Sequence, residues 1–126
     1  DESSNIGRVN IPENFFAHMR NSRVWFLKMP KEQRAKILVQ EYASGDKESL
    51  AAAVQRISKK LGGLRTTEAL NYLDEDNYYK TALITLDYYD KFYLKGLERR
   101  EKKNVIVVES DSIDEVDNAK LIIESS

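Results

Sequence analysis

The stretch VWFLK, from Val24 to Lys28, puts a β-branched residue, a Trp and a Phe in five positions and is closed by Pro30, the signature of a short buried strand. A second run of the same character, NVIVV from Asn104 to Val108, follows only after the whole helical middle of the chain. Both runs are continuously apolar rather than alternating, as strands are when helices cover both faces of a parallel sheet. Two such strands are too little for a complete sheet. The pattern therefore predicts an α/β chain, predominantly helical, whose two strands belong to a larger parallel sheet.

Working outward from Val24, Pro12 and Glu13 open a helix to about Arg20: proline has no N–H to lose in the first turn, and Glu13 suits the positive end of the dipole. Beyond Pro30, Ala35, Leu38, Val39 and Tyr42 mark one apolar helical face, stopped at Gly45. Leu50, Val54, Ile57 and Leu61 repeat the pattern in a helix ended by Gly62 and Gly63. A short helix around Thr67 to Leu73 leads to the acidic turn DEDN, where Asp76 or Asn77 caps the next segment. The longest helix runs from Tyr78 to about Arg100, with Ala82, Leu86, Tyr89, Tyr93 and Leu97 along its inner side. Ser112 and Glu115 have capping-box spacing before a last helix with Val116, Ala119 and Ile123 inward. The count is about two strands and five to six helices.

Composition narrows the chemistry. In 126 residues there is no Cys and a single His, His18, so disulfides, thiolate metal sites, a cysteine nucleophile and a histidine metal cluster are excluded within the chain. No apolar run approaches the roughly 20 residues needed to cross a bilayer and no signal-peptide pattern is present, which predicts a cytoplasmic location and no membrane partner. The formal charge of −1 hides an asymmetry: residues 1–65 carry 12 Lys/Arg against 7 Asp/Glu, and residues 66–126 carry 8 against 14. A basic front half suits phosphate, while the acidic stretch after Glu109 repels it.

Three motifs in register, ESSNIGRVNIP (Glu2 to Pro12), KKLGGLR (Lys59 to Arg65) and LDYYDKFY (Leu86 to Tyr93), resemble the C-terminal half of the P-loop domain of the tRNA 2-selenouridine synthase family. The resemblance implies a fold, the C-terminal portion of a P-loop NTPase-like parallel-sheet domain, occupying residues 1–126 as a single domain or fragment. It also implies a parent enzyme that joins a rhodanese-like domain to the P-loop domain. That enzyme replaces the sulfur of wobble 2-thiouridine by selenium through a geranylated intermediate, using selenophosphate and geranyl diphosphate, with Mg²⁺ at the phosphate site. Its partner is tRNA, through the anticodon arm. This chain has neither a GxxxxGK[ST] loop nor a cysteine, so it is expected to hold no cofactor of its own and to be inactive alone.

Asp1 and Glu2 take their reading from the resemblance, and the residues after them from their own chemistry. Asp1 and Glu2 would be the acidic tip of a core strand, a hard-oxygen site for Mg²⁺ or its waters, or an ordinary acidic terminus. Arg8 would reach a phosphate past Gly7, or simply sit on a turn. Arg34 fits the lid arginine of P-loop kinases, or a surface arginine. Lys59, Lys60 and Arg65 would grip tRNA phosphates, or complement a helix dipole. Tyr88, Tyr89 and Tyr93 would stack on an unstacked base or line an isoprenoid pocket, with core packing the default for Tyr89 and Tyr93. Asp90 reads as a partner for a Tyr hydroxyl or a basic neighbour. Phe15, Phe16 and Trp25 read as core, His18 as a packed or capping residue, and the run ERREKK (Glu98 to Lys103) as a solvated helix end. A non-catalytic helical module that binds protein or RNA is the alternative function.

Overall fold

The structure, a computed structural model, describes residues 3–126. An antiparallel hairpin comes first, β1 (Asn5–Ile6) against β2 (Val9–Asn10), turned by Gly7 at φ +60°. Helix α1 (Glu13–Asn21) follows Pro12 and leads into β3 (Val24–Lys28). The connection onward is entirely helical: α2 (Lys31–Ser44), α3 (Lys47–Arg56), α4 (Ser58–Leu61), α5 (Gly63–Asp74) and α6 (Tyr78–Glu98). A turn of 3₁₀ helix (Lys102–Asn104), strand β4 (Val105–Glu109) and α7 (Glu115–Glu124) complete the chain.

The two apolar runs pair with each other in parallel, in register from Val24 with Val105 to Lys28 with Glu109. Both ladders therefore end at one edge, where Lys28 and Glu109 stand side by side with Nζ and Oε1 3.4 Å apart. The expectation that both faces of the strands are buried does not hold. Val108 is 7% exposed and its neighbour Val107 54%, because successive side chains of a strand point to opposite faces and only one face is closed.

The helical core forms where α6 crosses α2 and α5. Ala35, Ala82 and Leu86 pack with Leu38, Tyr42 and Leu83, and Val54, Ala69 and Ile84 pack with Leu61, Leu70 and Tyr72. Alanines with no exposed surface at the crossings let the helix backbones approach closely. Thr66, Thr81 and Thr85 are buried too, each returning its hydroxyl to a helical carbonyl, so no donor is stranded. Beyond Asp87 the same helix outruns its partners: Tyr89 is 43% and Tyr93 45% exposed, against the expectation of core packing. Phe15 is 57% exposed and His18 is exposed as well, while Phe16 and Trp25 are half-buried.

Local backbone chemistry moved several boundaries. The helix expected through Leu50 and Leu61 breaks at Ile57 into α3 and α4, and α5 restarts directly at Gly63 instead of near Thr67. Gly62, at φ +93° and ψ 153°, makes that reversal in a region only glycine occupies freely. Asn77 caps α6 as expected, accepting from the Lys80 amide at 3.2 Å. The cap of α7 is Asp114 rather than Ser112: its carboxylate accepts from the Asp117 amide at 2.9 Å, while Ser112 Oγ accepts from the Asp114 amide one step earlier. The inner face of α7 is also different. Asn118 is buried, held by Ser110 Oγ at 2.5 Å and donating to the Ser112 carbonyl, and Val116, Ala119 and Ile123 face solvent. A polar anchor has overruled the apolar periodicity.

The ends of α1 and α6 are stapled by two arginines. Arg20 Nη2 donates to the Gly96 carbonyl at 2.9 Å. Arg100, only 8% exposed, donates from Nη1 to the Met19, Arg20 and Ser22 carbonyls at 3.1, 2.8 and 3.3 Å, satisfying the open C-terminus of α1.

Candidate anion-binding site

Asp87 and Asp90 lie three residues apart on α6 and so project from one side of the helix. Asp87 takes Lys31 from the start of α2 on one oxygen and Arg65 from the first turns of α5 on the other. Asp90 receives the fork of Arg34, Nη1 to Oδ1 at 2.6 Å and Nη2 to Oδ2 at 2.9 Å. The third arm of Arg34, Nε, donates to the Met29 carbonyl at 3.2 Å just past the end of β3. Three cations thus meet two carboxylates, leaving the cluster with an excess positive charge.

The electrostatics follow from this geometry. Burial alone would raise the Asp87 carboxyl, but the hydrogen bonds and charges of Lys31 and Arg65 together outweigh it and hold it below the ordinary aspartate range. The Arg34 guanidinium is raised, first by its hydrogen bond to Asp90 and against the pull of burial. The Arg34–Asp90 pair is held at two points, which fixes the plane of the guanidinium against the carboxylate.

Two clefts flank Asp90. One, of about 350 Å³, is lined by Lys60, Leu61, Arg65, Asp87, Tyr88, Asp90 and Lys91. The other, of about 330 Å³, lies between β3 and α6 against Phe26, Leu27, Met29, Arg34, Tyr93 and Leu94. A third, of about 590 Å³, sits at the carboxyl edge of the parallel strands beside Lys28, Glu109 and Ser110. Of the residues singled out in the sequence, Arg34, Lys60, Arg65 and Tyr88 come together around the two aspartates. Lys59 is exposed next to Lys60, and Arg8 is exposed in the turn of the terminal hairpin. Asp1 and Glu2 lie outside the described residues.

The sequence reading passed over Lys31, Asp87 and Lys91. The signal was present in LDYYDKFY, where two acids at helical spacing sit in an otherwise aromatic segment, and Asp90 does take a basic neighbour. Among the described residues no group of three or more His, Cys, Asp or Glu is placed to hold a metal ion, and no helix is long and apolar enough to cross a membrane.

Residues 1–121 match the family model of the tRNA 2-selenouridine synthase AAA domain. The chain belongs to that family. Among its relatives are the tRNA 2-selenouridine synthases of Hydrogenovibrio crunogenus, 29% identical over 82% of this chain, and of Marinobacter nauticus, 30% identical over 80%. A third, from Nitrosomonas eutropha, is 28% identical over 80%. The aligned part is 35% to 37% of those proteins, so the chain spans about a third of the length of the curated relatives it matches. No solved structure matches it. In this chain the KKLGGLR and LDYYDKFY segments place Lys60, Arg65, Asp87, Tyr88 and Asp90 in one cleft.

Proposed function

We propose that this chain forms the anion-handling helical part of a tRNA-modifying enzyme that replaces sulfur by selenium in wobble 2-thiouridine through a geranylated intermediate. The observation that carries the reading is the convergence of Arg34, Lys60 and Arg65 on the Asp87–Asp90 side of α6, within a match that extends over residues 1–121. Arg65 and Lys60 hold a phosphate group of tRNA, of selenophosphate or of geranyl diphosphate, and Tyr88 offers its ring to an unstacked base. Arg34 stands poised at the end of β3 to neutralise charge on a phosphate, released from Asp90 by exchange of one anion for another. Lys59 and Arg8 extend the phosphate-attracting surface, and Asp1 with Glu2 would hold Mg²⁺ at the nucleotide or diphosphate. In this reading other parts of the enzyme supply the phosphate loop and the rhodanese thiol, since this sequence contains neither GxxxxGK[ST] nor Cys.

A chimera tests it. Residues 1–121 replace the matched segment of the Hydrogenovibrio crunogenus relative, and 2-selenouridine in hydrolysed cellular tRNA is measured by mass spectrometry. The chimera is expected to produce the nucleoside and its Arg65→Ala form to produce about ten- to a hundredfold less, the weight of one lost charge-assisted contact. A chimera that makes the nucleoside equally well with Arg65→Ala and Arg34→Ala refutes the assignment of these side chains.

A further inference from the structure

The ERREKK run and the aromatic half of α6 remain unexplained by that cleft. Tyr88, Phe92, Lys95 and Arg99 recur at intervals of four, three and four residues, which at 3.6 residues per turn places them in one stripe, with Lys91 on its flank. Arg99 keeps helical backbone angles at the C-cap, so the stripe continues through it for roughly 16 Å at 1.5 Å per residue. Lys91, Lys95 and Arg99 are exposed, and so is Phe92 at 53%.

Acids border the stripe only at its Tyr88–Lys91 end. Asp87 and Asp90 are turned into the cluster with Lys31, Arg65 and Arg34, and Glu98 lines a separate groove beside Phe26 and Val105. The stripe ends in a cleft of about 420 Å³ walled by Phe16, Arg20, Phe92, Lys95, Gly96 and Arg99, with no described carboxylate among its walls. Arg20 is already anchored on the Gly96 carbonyl, and its guanidinium is held below the ordinary arginine value by burial and by the charges of Arg100 and Arg99.

We infer that the Tyr88–Arg99 stripe is a binding track for single-stranded RNA, with an unstacked base in the Phe16–Phe92 cleft and the backbone phosphates on Lys91, Lys95 and Arg99. The choice of RNA as the polymer rests on the tRNA-modifying reading above; the track itself rests on the helical spacing of rings and cations. An acidic protein would use the charges and ignore the rings. Single-stranded nucleic acid uses both, because every base has a face that stacks. The track also begins at Tyr88, on the wall of the first cleft, so a strand bound along it runs into that cleft.

The test is fluorescence anisotropy of the intact protein with labelled oligo(U), an RNA duplex of equal length and polyglutamate, each across a range of salt concentrations. Phe92→Ala is expected to weaken oligo(U) binding about five- to a hundredfold without changing the salt slope, and Phe92→Tyr to restore it. The triple variant Lys91→Gln, Lys95→Gln, Arg99→Gln is expected to reduce the slope of log K against log salt by about two, three contacts at about 0.7 each. The duplex should bind more weakly and ignore Phe92→Ala. Parent-like binding of oligo(U) by both variants overturns the inference, and so does equal loss on polyglutamate with Phe92→Ala neutral. If the variants bind RNA like the parent while the chimeric enzyme works, the track falls and the functional reading stands. If they behave as expected while the chimera makes no 2-selenouridine, the reading falls and the track stands.

Discussion

Replacing Arg100 by Met keeps an apolar stem of similar length and deletes the guanidinium that closes the C-terminus of α1. Nη1 carries two protons, so of its three carbonyl contacts the 2.8 Å bond to Arg20 and the 3.1 Å bond to Met19 carry most of the energy and the 3.3 Å contact to Ser22 shares it. A hydrogen bond from a charged donor contributes about 1.5–3 kcal/mol, which gives about 3–6 kcal/mol for two. Part is returned, because the variant no longer desolvates a buried guanidinium and the freed carbonyls at the end of α1 regain water. The expected loss is about 2–3 kcal/mol. With a urea m-value of about 1–3 kcal/mol/M, the unfolding midpoint followed by circular dichroism falls by about 1–2 M at constant m. Arg100→Lys, which keeps the charge but not the fork, should fall between the two. Hydrogen exchange adds locality: the last amides of α1 should lose protection before those of α2. A midpoint within about 0.3 M of the parent would refute the idea that this staple holds α1 to α6.

Three further outcomes follow from the same structure. The Asp87 carboxyl titrates below its unfolded value of about 3.9, so its contribution to stability is complete above that pH and disappears as pH falls through the depressed folded value; acid titration of stability should be flatter in Asp87→Asn than in the parent below about pH 4, and parallel curves would contradict it. The Arg34–Asp90 fork is about one-third exposed on each side, so a double-mutant cycle with Arg34→Gln and Asp90→Asn should report a coupling of only about 0.5–1 kcal/mol, at the upper end of the range for surface pairs. Gly62→Ala should cost about 1–3 kcal/mol although nothing lies within 4 Å of the added Cβ, because the whole cost is backbone strain at φ +93°; a Tm equal to the parent's would show that α4 and α5 adjust without it.

How far the sequence could be read depended on whether a local or a non-local force decided each feature. VWFLK was legible to the residue because β-branched and aromatic crowding, with Pro30 behind it, leaves a strand as the one good local solution. The bounds of α6 were legible for the same reason, with Asn77 as cap and a long apolar period behind it. The inner face of α7 was not, since Asn118 is buried by two hydrogen bonds to Ser110 and Ser112 that no periodicity announces. Tyr89 and Tyr93 keep the period of Ala82 and Leu86, yet are half exposed, because period says which side of a helix is apolar and not how far its partner extends. In the candidate site, Arg34, Lys60 and Arg65 stood out as cations near glycine or a strand end. Asp90 stood out as a partner for a basic neighbour, but which cation it takes did not, because an ion pair joining α2 to α6 across 56 residues is not encoded in either segment alone.

The two basic features of the surface differ in a way that bears on how they would act together. In the Asp87–Asp90 cluster each cation already has a carboxylate, so an incoming phosphate gains little from attraction at a distance and must exchange with a group held at hydrogen-bonding range. Such exchange is slow to begin and selective, because it succeeds only for an anion that meets the fork of Arg34 or Arg65 with matching oxygens. Lys95 and Arg99 line a cleft with no described carboxylate among its walls, so the field there reaches into solvent and falls off over a Debye length of about 8 Å at physiological salt. In the proposed reading capture therefore begins on the stripe, and the clustered arginines act second, on a strand already delivered to them. Raising the salt should accordingly lower the association rate of RNA far more than it raises the dissociation rate of a strand seated against Arg65; stopped-flow measurement of both rates separates them, and a salt effect carried mainly by dissociation would reverse the assigned order.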